Sequence, residues 1–237
     1  MTRRRWIADE FSDDRAALTG PHAEHLARVL RAKPGMEFDI AAGNRLRKGR
    51  VSSVRDDRVE FELGEELAPA AQSEITVVLS VIKFDRLEWA VEKLTELGVR
   101  SIVPLVAARS DSHLAAASAK RVERWRRIAR EAAEQSRRLA APEIRDPMKL
   151  KAALATAGAC RLVLAETEEE KTLTGVLRES SSMSPCVIAV GPEGGWTPAE
   201  LAQFAEAGWQ PVSLGSNILR AETAAIAAVS IVQSNFD

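Results

Sequence analysis

Apolar and polar positions alternate in short runs over residues 1–67, in "RRRWIADEF", "MEFDIAAG", "RLRKGRVSSV" and "RVEFELGEEL", with one helical stretch, "GPHAEHLARVLRA". Turn residues ("PG", "AGN", "RDD") separate the runs. Short alternating strands between such turns predict a compact β-rich module of small-barrel type. "APAAQSE", residues 68–74, interrupts the pattern with proline and small residues and predicts a domain boundary.

From Ile75 the period changes. "ITVVLSVI" is a continuous apolar run, the pattern of a strand covered on both faces. "DRLEWAVEKLTELG" follows as an amphipathic helix, for which the spacing predicts Asp85 as N-cap, Glu88 closing a capping box and Gly98 as terminator. Then come strand "VRSIVPLVA", a long helix over residues 119–139, and strands "CRLVLAE" and "CVIAV". A helix from Thr197, strand "PVSLG" and helix "AETAAIAAVSIVQ" complete the chain. This β-α alternation predicts an α/β domain with a parallel sheet over residues 75–237, behind the β-rich domain of residues 1–70.

Two loops carry candidate chemistry. "VIAVGPEGGWTPAEL", residues 187–201, runs from a strand through a glycine turn into a helix that Thr197, Pro198 and Glu200 mark as a capping box with proline at N1. Such a loop lies at the carboxyl end of a parallel strand, where open α/β sheets bind ligands. Glu193 and the absence of a following lysine argue against phosphate and for a neutral or cationic ligand. "SLGSNILRAETAA", residues 213–225, is a second strand-to-helix loop and sets Arg220 and Glu222 at the mouth of an otherwise small-residue helix.

Basic and acidic residues nearly cancel, 33 against 34, so a polyanion surface has to come from local clustering. The 119–139 helix, with Arg124 and Arg127, is rich in arginine; Arg3, Arg4, Arg5 and Arg47 add to the cluster in the first module. Together they suggest an RNA footprint. Cys160 and Cys186 lie in apolar runs, as buried thiols of a reducing cytoplasm do. No run approaches the length of a membrane span, and His22, His25 and His113 are too scattered for a zinc site, so neither membrane nor metal is expected.

The stretches "HLARVLRAKPG", "KFDRLEWAVEKLTELGV", "PLVAARS", "KRVERWRRIAREAAEQSRR", "VGPEGGWT" and "LGSNILRAETAA" resemble, in order and nearly end to end, the ribosomal RNA small subunit methyltransferase E family of the SPOUT class. The resemblance implies a PUA-like N-terminal β-barrel that binds RNA and a C-terminal SPOUT domain with a trefoil knot. It also implies a cytoplasmic homodimer that uses S-adenosylmethionine to methylate N3 of one uridine in 16S rRNA of the small ribosomal subunit. Carried over residue by residue, the cofactor loops are Leu164, the turn Gly191, Glu193, Gly194 and Gly195, and the segment Leu214, Gly215, Ile218 and Leu219. Asn217 and Trp196 stand where the family commonly carries arginine and phenylalanine. Uridine N3 has to lose a proton, so Glu222 is expected as base and Arg220 as the cation that holds uracil oxygens or a phosphate, solvent hydroxide being the alternative base. The rival readings are a SPOUT enzyme acting on transfer RNA or another rRNA position, and a non-catalytic RNA-binding factor, which the two intact loops disfavour.

Overall fold

The computed structural model describes residues 5–43, 45–67, 73–136, 138–179 and 184–235. Internal contacts divide the chain into two units, one of residues 1–71 with 133–141, the other of residues 72–132 with 142–237.

The first unit is a curled sheet of β1 (Arg5–Ile7), β2 (Glu10–Phe11), β3 (Arg15–Thr19), β4 (Glu37–Ala42), β5 (Arg45–Val54) and β6 (Arg58–Leu67). The strand order is β1-β4-β5-β6-β3-β2, and no ladder joins β1 to β2, so the sheet is an open, curled half-barrel rather than a closed barrel. Consecutive residues bridge the gap: Ala8 N–H donates to Ala41 O and Asp9 N–H to Ala17 O, on opposite sides of the sheet. Helix α1 (Gly20–Glu24) continues as a π turn and covers a core that includes Leu18, Leu26, Ile40, Val59 and Phe61. Leu139 packs on Ala41 and Leu46, which is how a segment distant in sequence joins this unit.

The second unit is a seven-stranded parallel sheet. Its strands are β7 (Ile75–Ser80), β8 (Ser101–Val106), β9 (Glu143–Ile144), β10 (Met148–Lys149), β11 (Cys160–Leu164), β12 (Cys186–Val190) and β13 (Gln210–Val212). The order is β10-β8-β7-β12-β11-β13, with β9 on β8. Helices α2 (Phe84–Glu96), α3 (Ser112–Ser118), α4 (Val122–Gln135), α5 (Leu150–Ala153), α6 (Leu173–Glu179), α7 (Pro198–Glu206) and α8 (Ala221–Gln233) connect or follow the strands. Ile75, Val77 and Leu79 belong to one core and Val78 to another, and on β12 Ile188 and Val190 oppose Val187 and Ala189 in the same way. Burial on both faces is why these strands read as unbroken apolar runs.

Two local expectations are corrected. Helix α2 starts two residues earlier, with Lys83 rather than Asp85 as N-cap and no side-chain cap bond. Glu88 closes no box: it takes a two-pronged bond from Arg124 at 2.7 and 2.9 Å. The 119–139 stretch is a 3-10 turn followed by α4, which ends at Gln135. Cys160 and Cys186 are adjacent in register, and Cys186 is fully buried. The Cys160 thiol and burial together push the Cys186 thiol far up, so it stays protonated.

Candidate functional site

The carboxyl ends of β11, β12 and β13, with Lys83 from the loop after β7, open onto one cavity of about 1040 Å³ in the second unit. This is the ligand position of an open parallel sheet. Its walls are the 191–196 turn, the 212–221 segment and the 164–169 loop, with Lys83, Arg86 and Arg109 on the remaining side. Every expected cofactor residue lines it: Leu164, Gly191, Glu193, Gly194, Gly195, Leu214, Gly215, Ile218 and Leu219.

The 191–196 turn is held from four directions. Thr197 caps α7, with Thr197 Oγ1 accepting from Glu200 N–H at 3.2 Å and Glu200 Oε2 accepting from Thr197 N–H at 2.8 Å. Glu200 Oε1 also accepts from Ala108 N–H at 2.8 Å, so one carboxylate, 5% exposed, joins this turn to the loop after β8. Arg109 donates to Gly194 O at 2.8 Å and Trp196 O at 3.3 Å. The Trp196 indole N–H donates to Leu164 O at 2.9 Å, a bond that phenylalanine cannot make. Trp196 packs edge-on against Phe204 with ring centroids 4.9 Å apart, and Phe204 against Trp209 at 5.2 Å.

The glycines have separate reasons. A Cβ on Gly191 would come within 3.2 Å of the Trp196 ring. Gly195 and Gly215 adopt φ of +67° and +111°, in the left-handed region that favours glycine. A Cβ on Gly215 would meet nothing within 4 Å, so that glycine faces open space. Ile218, on the same lining, is 79% exposed.

The charges differ from expectation. Glu193 lines the cavity with its carboxylate hydrogen-bonded by Arg86. Arg220 lines the cavity and is exposed. Glu222 does not line it: the residue is buried, and its Oε1 lies 3.8 Å from Arg86 Nε. The other carboxyl oxygen, Oε2, is buried without a hydrogen-bond partner. Arg86 and Arg109 are functional candidates that sequence reasoning missed. Both act 85 residues or more away along the chain, at Glu193, Gly194 and Trp196, and no local spacing announces such pairs.

Of the expected RNA residues, Arg3 and Arg4 lie outside the described residues. Arg47 is engaged within its own sheet, donating to Gly64 O at 2.9 Å, Leu63 O at 3.2 Å and Asp13 O. The Glu88 carboxylate that occupies Arg124 also raises the pKa of that guanidinium. Arg127 remains open, 65% exposed with Glu131 3.9 Å away. Among the described residues no group of three or more His, Cys, Asp and Glu side chains could hold a metal ion, and no helix is long and apolar enough to cross a membrane.

Known proteins match this architecture throughout. The family model for the RNA methyltransferase domain matches residues 69–233. The ribosomal RNA small subunit methyltransferase E of Rickettsia conorii is 34% identical over 223 residues, covering 90% of this chain and 86% of that protein. Its Bacillus subtilis counterpart is 32% identical over 226 residues, covering 91% and 88%. A crystal structure of the Neisseria gonorrhoeae enzyme of that name, bound to S-adenosyl methionine, superposes with a TM-score of 0.84 at 30% identity, covering 98% of each chain. With a matched RNA methyltransferase domain and relatives of one name aligned over nearly its whole length, the chain belongs to the ribosomal RNA small subunit methyltransferase E family.

Proposed function

We propose that the protein transfers a methyl group from S-adenosylmethionine to N3 of one uridine in 16S rRNA. The observation that carries this reading is the cavity itself. Two strand-to-helix turns meet there, and the open space beside Gly215 accepts a ligand close to the backbone. Glu166, Glu168 and Glu169 add carboxylates to the same lining, suited to the cationic sulfonium and amino groups. The residues present therefore fit the cofactor. Leu164, Gly191, Gly194, Gly195, Leu214, Gly215, Ile218 and Leu219 would hold it, mostly through backbone. When bound, it supplies an electrophilic methyl on sulfur and leaves as the neutral thioether.

Arg220, at the N-cap of α8 and on the cavity wall, stabilises the negative charge that develops on the uracil oxygens as N3 loses its proton. That proton goes to a solvent base. We assign the base to solvent rather than to Glu222, which is buried against Arg86 and outside the cavity lining. Its carboxylate instead sets the position of Arg86, which in turn holds Glu193 of the cofactor turn. The uracil must be unpaired or flipped out to present N3 to the methyl group.

The first unit and the open cations of α4 would bind RNA, and the protein would act as a cytoplasmic homodimer. The resemblance also implies a PUA-like character for the first unit and a knotted chain end. The test is mass spectrometry of digested rRNA from a strain lacking the gene. Loss of a single N3-methyluridine from 16S rRNA, restored by the gene, is expected; an unchanged 16S rRNA refutes the reading.

A further inference from the structure

Four cations line the cavity, and two are already used. Arg109 is bound to the carbonyls of Gly194 and Trp196, and Arg86 sits between Glu193 and Glu222. Lys83 and Arg220 are exposed and make no ion pair or side-chain hydrogen bond to any described residue. Each occupies the N-cap of a 13-residue helix, Lys83 of α2 and Arg220 of α8, and neither makes a side-chain cap bond. N-caps favour Ser, Thr, Asp or Asn, and a cation there opposes the positive end of the helix dipole. The Arg86–Glu222 contact at 3.8 Å joins the first turns of the two helices, so both positive ends and both unpaired cations reach the same cavity. Asp85 and Glu222 are the carboxylates in the first turns of these helices, and Glu193 stands on the neighbouring 191–196 turn. Glu193 and Glu222 are directed to Arg86 rather than to Lys83 or Arg220.

We infer that Lys83 and Arg220 form a two-cation clamp for a phosphodiester of the RNA beside the target nucleotide. The inference rests on the proposed RNA substrate and adds to it a contact residue, Lys83, and a ligand group. Uracil carries no charge on entry, so the anion that arrives with it from solvent is the backbone phosphate. Phosphate contacts position a nucleic acid without reading its sequence. Arg220 has enough donors to serve both a phosphate oxygen and a uracil oxygen. The acidic stretch Glu166–Glu169 on the same lining leaves the cofactor's cationic groups a separate place.

The test uses the full chain, a labelled single-stranded RNA oligonucleotide with one central uridine, and small-subunit rRNA for turnover. Lys83→Ala is expected to weaken oligonucleotide binding several-fold. It should also lower the slope of log affinity against log salt by about 0.7, the value for one lost single-strand phosphate contact. KM for rRNA should rise while the single-turnover rate at saturating RNA holds, and Lys83→Arg should restore binding. Calorimetric affinity for S-adenosylmethionine is expected to stay at the wild-type value, which also verifies that the variant is folded; Lys83→Gln repeats the measurement with a polar side chain. An unchanged salt slope in both Lys83→Ala and Lys83→Gln overturns the clamp. So does a loss of cofactor affinity in folded protein, which would assign Lys83 to the cofactor carboxylate. A slope that depends on Lys83 in a wild-type protein that leaves 16S rRNA unmethylated supports the clamp and refutes only the proposed substrate position.

Discussion

Replacing Glu200 tests how the cofactor turn is built. Its carboxylate accepts from Ala108 N–H at 2.8 Å, Thr197 N–H at 2.8 Å and Thr197 Oγ1 at 2.9 Å, from a side chain 5% exposed. Glu200→Ala removes both acceptor oxygens, and with them all three bonds, while Thr197 still caps the backbone N–H of residue 200. Loss of half a capping box costs about 1 kcal/mol. The Ala108 amide, bonded to an ionised group, adds about 1–2 kcal/mol, taken at the low end because Ala108 is exposed and water can replace part of the bond. The sum, about 2–3 kcal/mol, corresponds to a fall in Tm of roughly 4–12 °C for a unit of this size. Glu200→Gln keeps the shape but turns one acceptor into a donor facing an N–H, so it should lose about half as much. Glu206, exposed on the same helix, is the control, and Glu206→Ala should stay within about 0.5 kcal/mol of wild type. Scanning calorimetry reads the stability and titration calorimetry the cofactor affinity, which should weaken with Glu200→Ala because Gly194 and Gly195 lie three and two residues before the Thr197 cap. A Glu200→Ala protein as stable as Glu206→Ala would refute the reasoning and show that Arg109 and Trp196 suffice to hold the turn.

Trp196→Phe should keep the edge-on packing with Phe204 but lose the bond to Leu164 O, costing about 1 kcal/mol, to be read as a Tm shift of roughly 2–4 °C. Gly191→Ala should weaken cofactor binding by forcing the indole away from a Cβ 3.2 Å distant, and Gly195→Ala should cost about 1–2 kcal/mol from its φ of +67° alone; wild-type affinity in the first or wild-type Tm in the second would contradict these accounts. Glu222→Gln should slow single-turnover methylation by less than about 100-fold and leave its pH profile in shape, since a lost general base costs ~10²–10⁴-fold; a larger loss with a flattened profile would return Glu222 to the role of base. Arg127→Ala should lower the salt slope of RNA binding by roughly one contact, whereas Arg47→Ala should act mainly on the stability of the first unit.

Local signals were legible without the fold. The helix Ala221–Gln233, the capping box of Thr197 and Glu200, and the buried runs of β7 and β12 all rest on neighbours within a few residues, and the chain alone predicts them. The resemblance likewise named cavity residues, because its two loops are contiguous stretches. The short strands β9 and β10 and the helices α5 and α6 escaped, being too brief to show a period. The site's internal wiring was beyond reach for a different reason. Arg86 finds Glu193 across 107 positions, Glu200 finds Ala108 across 92, and Arg109 finds Gly194 across 85, and a parallel sheet makes such meetings by crossover rather than by spacing. Arg124 and Arg47 read as free cations in sequence because their acceptors, Glu88 and the carbonyls of Leu63 and Gly64, belong to other elements. Periodicity and turn chemistry thus determined which elements form and where a ligand loop lies. Which charges are neutralised there, and which remain open to a substrate, was decided only when the tertiary fold brought distant side chains within hydrogen-bond range.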